Sequence, residues 1–174
     1  MKFLSPPDVR DIGFLSLAGD QMYLYLPEFR RIRRIASHNK SESFVGSDFS
    51  YEDLGASAFS GSYVPTLAGQ DDKTWTLDLE RRPGADKLYK KIKLVVSREA
   101  RLPVRMELLD NSGALVKVEE QENGRTGKYW VPVIIRMRDV KSGSRTELVM
   151  GDIKVDQGLA VEVFTQRNLQ RRAE

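Results

Sequence analysis

Hydrophobic and polar positions alternate with a period of two along most of the chain, the spacing that puts one set of side chains on each face of a strand. Near the start, Ile12, Phe14, Leu15 and Leu17 supply one strand, and Gly19-Asp20 turns the chain into Gln21–Leu26, where Met22, Leu24 and Leu26 alternate with Gln21, Tyr23 and Tyr25. A tight hairpin joins the two. Pro27 has no N–H to donate and stops that ladder. A basic strand, Arg30-Arg31-Ile32-Arg33-Arg34-Ile35, follows, with Arg31 and Arg33 facing opposite to Arg30 and Arg34, and then a polar loop from Ser37 to Ser43. Ser50 stands three residues before Asp53, a weak capping box that predicts a short helix from Tyr51 through Ser57.

Beyond Gly61 the pattern is β almost throughout. Trp75, Leu77 and Leu79 define one apolar face, and the strand closes at Arg82-Pro83-Gly84-Ala85. Ile92, Leu94 and Val96 form the next, and after a bend at Leu102-Pro103 come Val104, Met106 and Leu108. Asp110-Asn111-Ser112-Gly113 is the strongest turn signal and predicts a hairpin between Val104–Leu109 and Ala114–Glu122. Asn123-Gly124 reads as a second turn, after which Val131, Val133, Ile135 and Met137 alternate with Pro132, Ile134, Arg136 and Arg138. Ser142-Gly143 sends the chain back through Thr146 to Val155 with a bulge at Gly151, and LAVEVFTQRNLQRR closes it as a short strand and a turn of helix. Successive strands joined by turns predict a single antiparallel meander, mainly β with few short helices.

At 174 residues the chain has the length of one domain with a sizeable core, and no stretch reads as a linker. Hydrophobic residues at 40% and charged residues at 30% are those of a globular rather than a disordered chain. The formal charge of +3 permits an anionic partner without requiring one. No apolar run approaches the roughly 18 residues that span a bilayer, and Met1–Pro7 lacks the apolar centre of a signal peptide.

Candidate chemistry is sparse. With no cysteine and one histidine, His38 in a polar loop, neither a disulfide framework nor a thiolate or three-histidine metal site can be assembled. Asp48, Glu52 and Asp53 match no calcium-loop spacing, and no glycine-rich phosphate loop is present. No catalytic residue, metal or cofactor is expected from these residues. The arginines of the basic strand are split between two faces rather than gathered into one patch, so no nucleic-acid partner is expected; they are either a solvated edge or a contact on the covered face to a carboxylate or a polar group of a lipid, with Asp48, Glu52 or Asp53 in the following turn as partners.

The runs YLPEFRRIRRI and FVGSDFSYEDL closely resemble the signature of the outer-membrane lipoprotein-sorting proteins, relatives of the periplasmic lipoprotein carrier LolA. LYKKIKLVVSREARLPVRMELLDNSGALVK, YWVPVIIRMRDVKSG and VFTQRNL fit the same family in the same order. Val45 stands where the signature carries Met. The family has a secretory signal, a first helix and opening strands before a segment like KFLSPPDVRDIGFLSLAGD, which here begins at Lys2. The resemblance therefore implies a single LolA-like domain over residues 1–174 without that N-terminal part, folded as a highly curved antiparallel half-barrel.

It also implies a non-enzymatic periplasmic carrier for lipoprotein acyl chains or another lipid, with an inner-membrane transporter and an outer-membrane acceptor as partners. The alternative is an accessory protein-interaction domain of an envelope transport complex. Met22, Leu24, Leu26, Trp75, Leu77, Leu79, Met106 and Leu108 are then candidates for both core and lipid wall. The signature places Arg33, Arg34, Phe44, Gly46, Asp48, Phe49, Tyr51 and Asp53 in a fastening between the basic strand and the turn after it.

Overall fold

The computed structural model describes residues 1–55 and 59–171. Among the described residues the regular structure is ten strands, three short 3-10 turns and two four-residue helices, α1 (Phe59–Ser62) and α2 (Gln166–Leu169). The chain forms two compact units: Met1–Glu42 with Tyr51–Ser57 and Gln157–Glu174, and Ser43–Ser50 with Ala58–Asp156.

The first unit holds a three-stranded antiparallel sheet of β1 (Gly13–Leu17), β2 (Gln21–Leu26) and β3 (Arg31–Arg34). Leu17 pairs with Gln21 around the predicted hairpin, where Gly19 and Asp20 both take positive φ. Alternation assigns the two faces. Leu15, Tyr25 and, from α2, Leu169 form one cluster, with Leu17, Tyr23 and Ile32 packed against it. Phe14, Met22, Leu24 and Ile35 are buried on the other face, where the Phe14 and Tyr51 rings lie 6.0 Å apart. Met22 is 0% exposed there. Its terminal methyl lies so close to Gly55 that a Cβ at Gly55 would meet it at 2.5 Å.

The second unit is a seven-stranded sheet of β4 (Tyr63–Gln70), β5 (Thr74–Arg81), β6 (Lys91–Ser97), β7 (Pro103–Leu109), β8 (Leu115–Thr126), β9 (Tyr129–Asp139) and β10 (Arg145–Val149). Every strand pairs antiparallel with its sequence neighbour, which makes an open, curved meander. The β7–β8 and β9–β10 hairpins form where the turn residues demand them. The Asp110 carboxylate accepts from the N–H groups of Ser112 (2.8 Å) and Ala114 (3.0 Å), and that of Asp139 accepts from Lys141 (3.0 Å) and Ser142 (2.7 Å). The mainly β antiparallel class expected from the pattern is the observed one, but its strands are divided between two sheets, with no pairing of β3 to β4.

Four local expectations are corrected. Asn123-Gly124 is not a turn: β8 runs through it to Thr126, and the reversal comes where Thr126 pairs with Tyr129 around Gly127, at φ +59°. The Asn123 amide donates to the Pro103 carbonyl at 2.8 Å, and a Cβ on Gly124 would stand 2.8 Å from Val133 Cγ1, so these two residues serve a register shift and a close strand approach. β10 ends at Val149 and does not reach Val155. The chain end carries a 3-10 turn at Val161–Phe164 in place of a strand. Tyr51–Leu54 is a turn rather than the start of a helix, and the remainder of the predicted helix, residues 56–57, lies outside the described residues.

Candidate functional site

The seven-stranded sheet separates charge from hydrocarbon by face. On one face Lys91 pairs with Asp78 at 2.9 Å, Arg105 with Glu120 at 2.6 Å, and Arg136 with Glu147 at 2.5 Å and with Glu122. The Lys91–Asp78 pair is half-buried and the others lie at the surface, where ion pairs add little to stability, so this face is the polar one.

The opposite face is apolar from β4 to β7. The register places Leu79, Ile92 and Leu108 in one row across the strands, Leu67, Leu77, Leu94 and Met106 in the next, and Trp75 beside Val96 in a third. Leu79, Ile92 and Leu108 are 3% exposed, whereas Leu77, Met106, Trp75 and Val96 are half-buried and Leu67 is 55% exposed. Thus Trp75, Leu77, Leu79, Met106 and Leu108, five of the eight lipid-wall candidates, share one face. Met22, Leu24 and Leu26 belong to the other sheet, where Met22 and Leu24 are core.

One strand breaks the pattern. Hydropathy alone would turn Val116 and Val118 of β8 towards the apolar rows. The register does the reverse, placing Lys117 beside Leu108 and Asp139, and Glu119 between Met106 and Met137. Val118, 3% exposed, falls on the charged face, paired with Glu107 and Arg138. A register shift at Leu108/Leu109 sets this phase, and a one-residue slip exchanges the faces of a whole strand. Sequence reading missed Glu119, now 7% exposed, because nothing in the hydropathy pattern reports that shift.

The signature turn is a hairpin of its own. Ser43 bridges Ser50, Phe44 N–H donates to the Phe49 carbonyl at 2.7 Å, and Ser47 N–H donates to the Phe44 carbonyl at 3.0 Å. Val45 and Gly46 at its tip have φ of +50° and +75°, the left-handed pair that a tight hairpin turn needs. Asp48 holds it down. Thr146 Oγ1 donates to its Oδ2 at 2.7 Å, its backbone N–H donates to Thr146 Oγ1 at 2.9 Å, and the Ser144 hydroxyl donates to its Oδ1. Thr146 pairs with Met137 and shares its face, so the turn lies over the β9–β10 end of the apolar side, where Met137 is 0% exposed. The partners of the Asp48 carboxylate are hydroxyls of the last hairpin rather than an arginine.

Arg33 and Arg34 are exposed on β3. Arg34 borders an open cleft of about 320 Å³ with Asp20, Ile35 and Lys40, in which Lys40 Nζ stands 3.9 Å from an Asp20 oxygen. Burial pushes the Tyr51 phenol above its ordinary range, helped by the Glu42 charge and opposed by Arg33. Asp53 is half-buried in the adjoining turn. Among the described residues no group of three or more His, Asp or Glu is placed to hold a metal ion, and no helix is long and apolar enough to cross a membrane.

A family model described as "Uncharacterized protein" matches residues 1–171. The chain belongs to that family. An outer membrane lipoprotein-sorting protein domain, so described, from Vibrio parahaemolyticus is 29% identical and superposes with a TM-score of 0.88 over 98% of this chain and 76% of its own. A DUF1329 family protein from Desulfovibrio piger (24% identical, TM-score 0.87, 97% and 75% covered) and a LolA superfamily protein from Nitrosomonas europaea (23%, 0.75, 96% and 76%) share the fold. No curated protein matches the chain.

Proposed function

We propose that the protein is a non-enzymatic carrier that shields the acyl chain of a lipoprotein or another lipid against the apolar face of the seven-stranded sheet. The observation that carries this reading is the graded face itself: three adjoining cross-strand rows that pass from a sealed row at Leu79, Ile92 and Leu108, with Leu94 buried beside it, to half-buried residues at Trp75, Leu77, Val96 and Met106 and to exposed Leu67. A sheet that needed only a core would seal all three. An apolar wall open at one end holds hydrocarbon without any directional contact, since each methylene removed from water is worth about 0.8 kcal/mol.

The likeness to a lipoprotein-sorting domain supports a periplasmic setting, with an inner-membrane transporter as donor and an outer-membrane acceptor as recipient. Carriage needs no nucleophile, cofactor or metal. Native mass spectrometry with lipid extraction of the purified protein tests the reading: co-purifying lipid, or saturable binding of a fluorescent fatty-acid analogue, is expected. Lipid-free protein that binds no such probe would favour a protein-interaction domain.

A further inference from the structure

The apolar rows have a definite end. Read across the strands, Leu67, Leu77, Leu94 and Met106 lead to Glu119 on β8. Glu119 is 7% exposed and occupies the position where a fifth apolar side chain would continue the row to Met137. In the adjoining row Gln121 of β8, paired with Ile135, stands in the same place, its amide donating to Asn123 Oδ1 at 2.7 Å. The polar side chains of β8 thus run as a stripe between the apolar strands β4–β7 and the apolar residues of β9.

We propose that this stripe is an end wall: Glu119, with Gln121 beside it, limits how long an apolar chain the face accepts. The proposal rests on the carrier reading. A chain lying along the strands would run into the sealed row at Leu79, Ile92 and Leu108, whereas one crossing them from Leu67 meets half-exposed Leu77 and Met106 over a floor of Leu94. Within that track each added methylene leaves water. At Glu119 the gain stops, because a polar carboxyl side chain takes the place of hydrocarbon there and an alkyl chain can offer it no hydrogen bond. The ligand class is therefore a straight-chain amphiphile with its tail end at β8 and its polar end towards β4. Longer tails bind no tighter than those that just reach Glu119.

The test is displacement of a bound fluorescent fatty-acid analogue by straight-chain alcohols of increasing length. In the wild type, affinity rises about fourfold per methylene and then levels off. Glu119→Met moves the levelling point to chains about four methylenes longer, roughly the hydrocarbon that covers one further strand spacing. Glu119→Gln, which keeps the shape and the polarity, leaves it in place. Met106→Glu, at a half-exposed position, moves it to shorter chains and decides the matter even if Glu119→Met does not fold. Affinity that climbs without levelling in the wild type, or a levelling point that neither Glu119→Met nor Met106→Glu moves, overturns the end wall while leaving the carrier reading standing. Failure of both the analogue and every alcohol to bind overturns the carrier reading itself, and the end wall with it.

Discussion

Thr146 and Asp48, 98 residues apart in sequence, exchange two hydrogen bonds: the Thr146 hydroxyl donates to the Asp48 carboxylate at 2.7 Å and accepts from the Asp48 backbone N–H at 2.9 Å. The contact closes the signature hairpin onto the last strand of the meander, and with Ser144 it satisfies both oxygens of the carboxylate. A charge-assisted pair of this kind is stronger than a neutral one and costs most when a single partner is removed.

Asp48→Ala and Thr146→Val should therefore each destabilise by about 1–3 kcal/mol. The double variant should lose less than the sum, with a coupling of roughly 0.5–3 kcal/mol. Urea midpoints of the four proteins measure this, and strictly additive losses would show that the clasp contributes nothing.

Val45 is a β-branched residue held at φ +50°. Asn tolerates that region better, so Val45→Asn should raise stability by about 0.5–1 kcal/mol without touching the clasp. Thermal unfolding is the check, and a lowered midpoint would mean that the Val45 side chain makes a contact outweighing its backbone cost.

Gly124 faces Val133 so closely that Gly124→Ala should cost about 1–3 kcal/mol through overpacking. Val133→Ala removes the methyl group that a new Cβ would meet. Combining the two should recover part of the loss, and a double variant no better than Gly124→Ala would place the cost in the backbone instead.

Asp110 and Asp139 both sit below the usual carboxylate value of 3.8, Asp110 chiefly through the Ser112 hydroxyl and then the Ala114 N–H, Asp139 chiefly through the Ser142 N–H. A depressed carboxylate contributes stability that is present above its unfolded value and disappears as pH falls through the folded one. Acid should accordingly weaken both hairpins below about pH 4. Asp110→Asn/Asp139→Asn should be less stable than the wild type at neutral pH and lose less on acidification. Parallel pH profiles for the two proteins would remove these turns from the acid response.

Leu77→Asp, in the middle of the track, should abolish binding of the fluorescent fatty-acid analogue, because it places a carboxylate among the apolar rows, whereas Met106→Asp, next to Glu119, should weaken it. Lys93→Asp, on the charged face opposite Asp78 and Glu107, is the control and should leave binding unchanged. Equal affinity in all three would take these rows out of the ligand wall.

The sequence by itself determined the strands and most of the turns. Period-two alternation located β1, β2, β5, β6, β7 and β9, and Gly19-Asp20, Asp110–Gly113 and Ser142-Gly143 marked hairpins because side-chain acceptors and left-handed residues act within a few positions of themselves. The apolar character of Trp75, Leu77, Leu79, Met106 and Leu108 was legible for the same local reason. Tertiary structure alone decided what local pattern cannot carry. Asn123-Gly124 has the chemistry of a turn but lies inside β8, where the approach of Val133 needs a residue without a side chain. Met22 and Leu24 have the same period as Leu77 and Leu79 and yet fall in a different sheet, because alternation says which residues share a face and nothing about which strands pair. Glu119 faces the apolar rows and Val118 the charges because a register shift at Leu108/Leu109 fixes the phase of β8. Asp48 finds Thr146 rather than an arginine because hydrogen bonds between residues 98 apart exist only once the meander between them has folded.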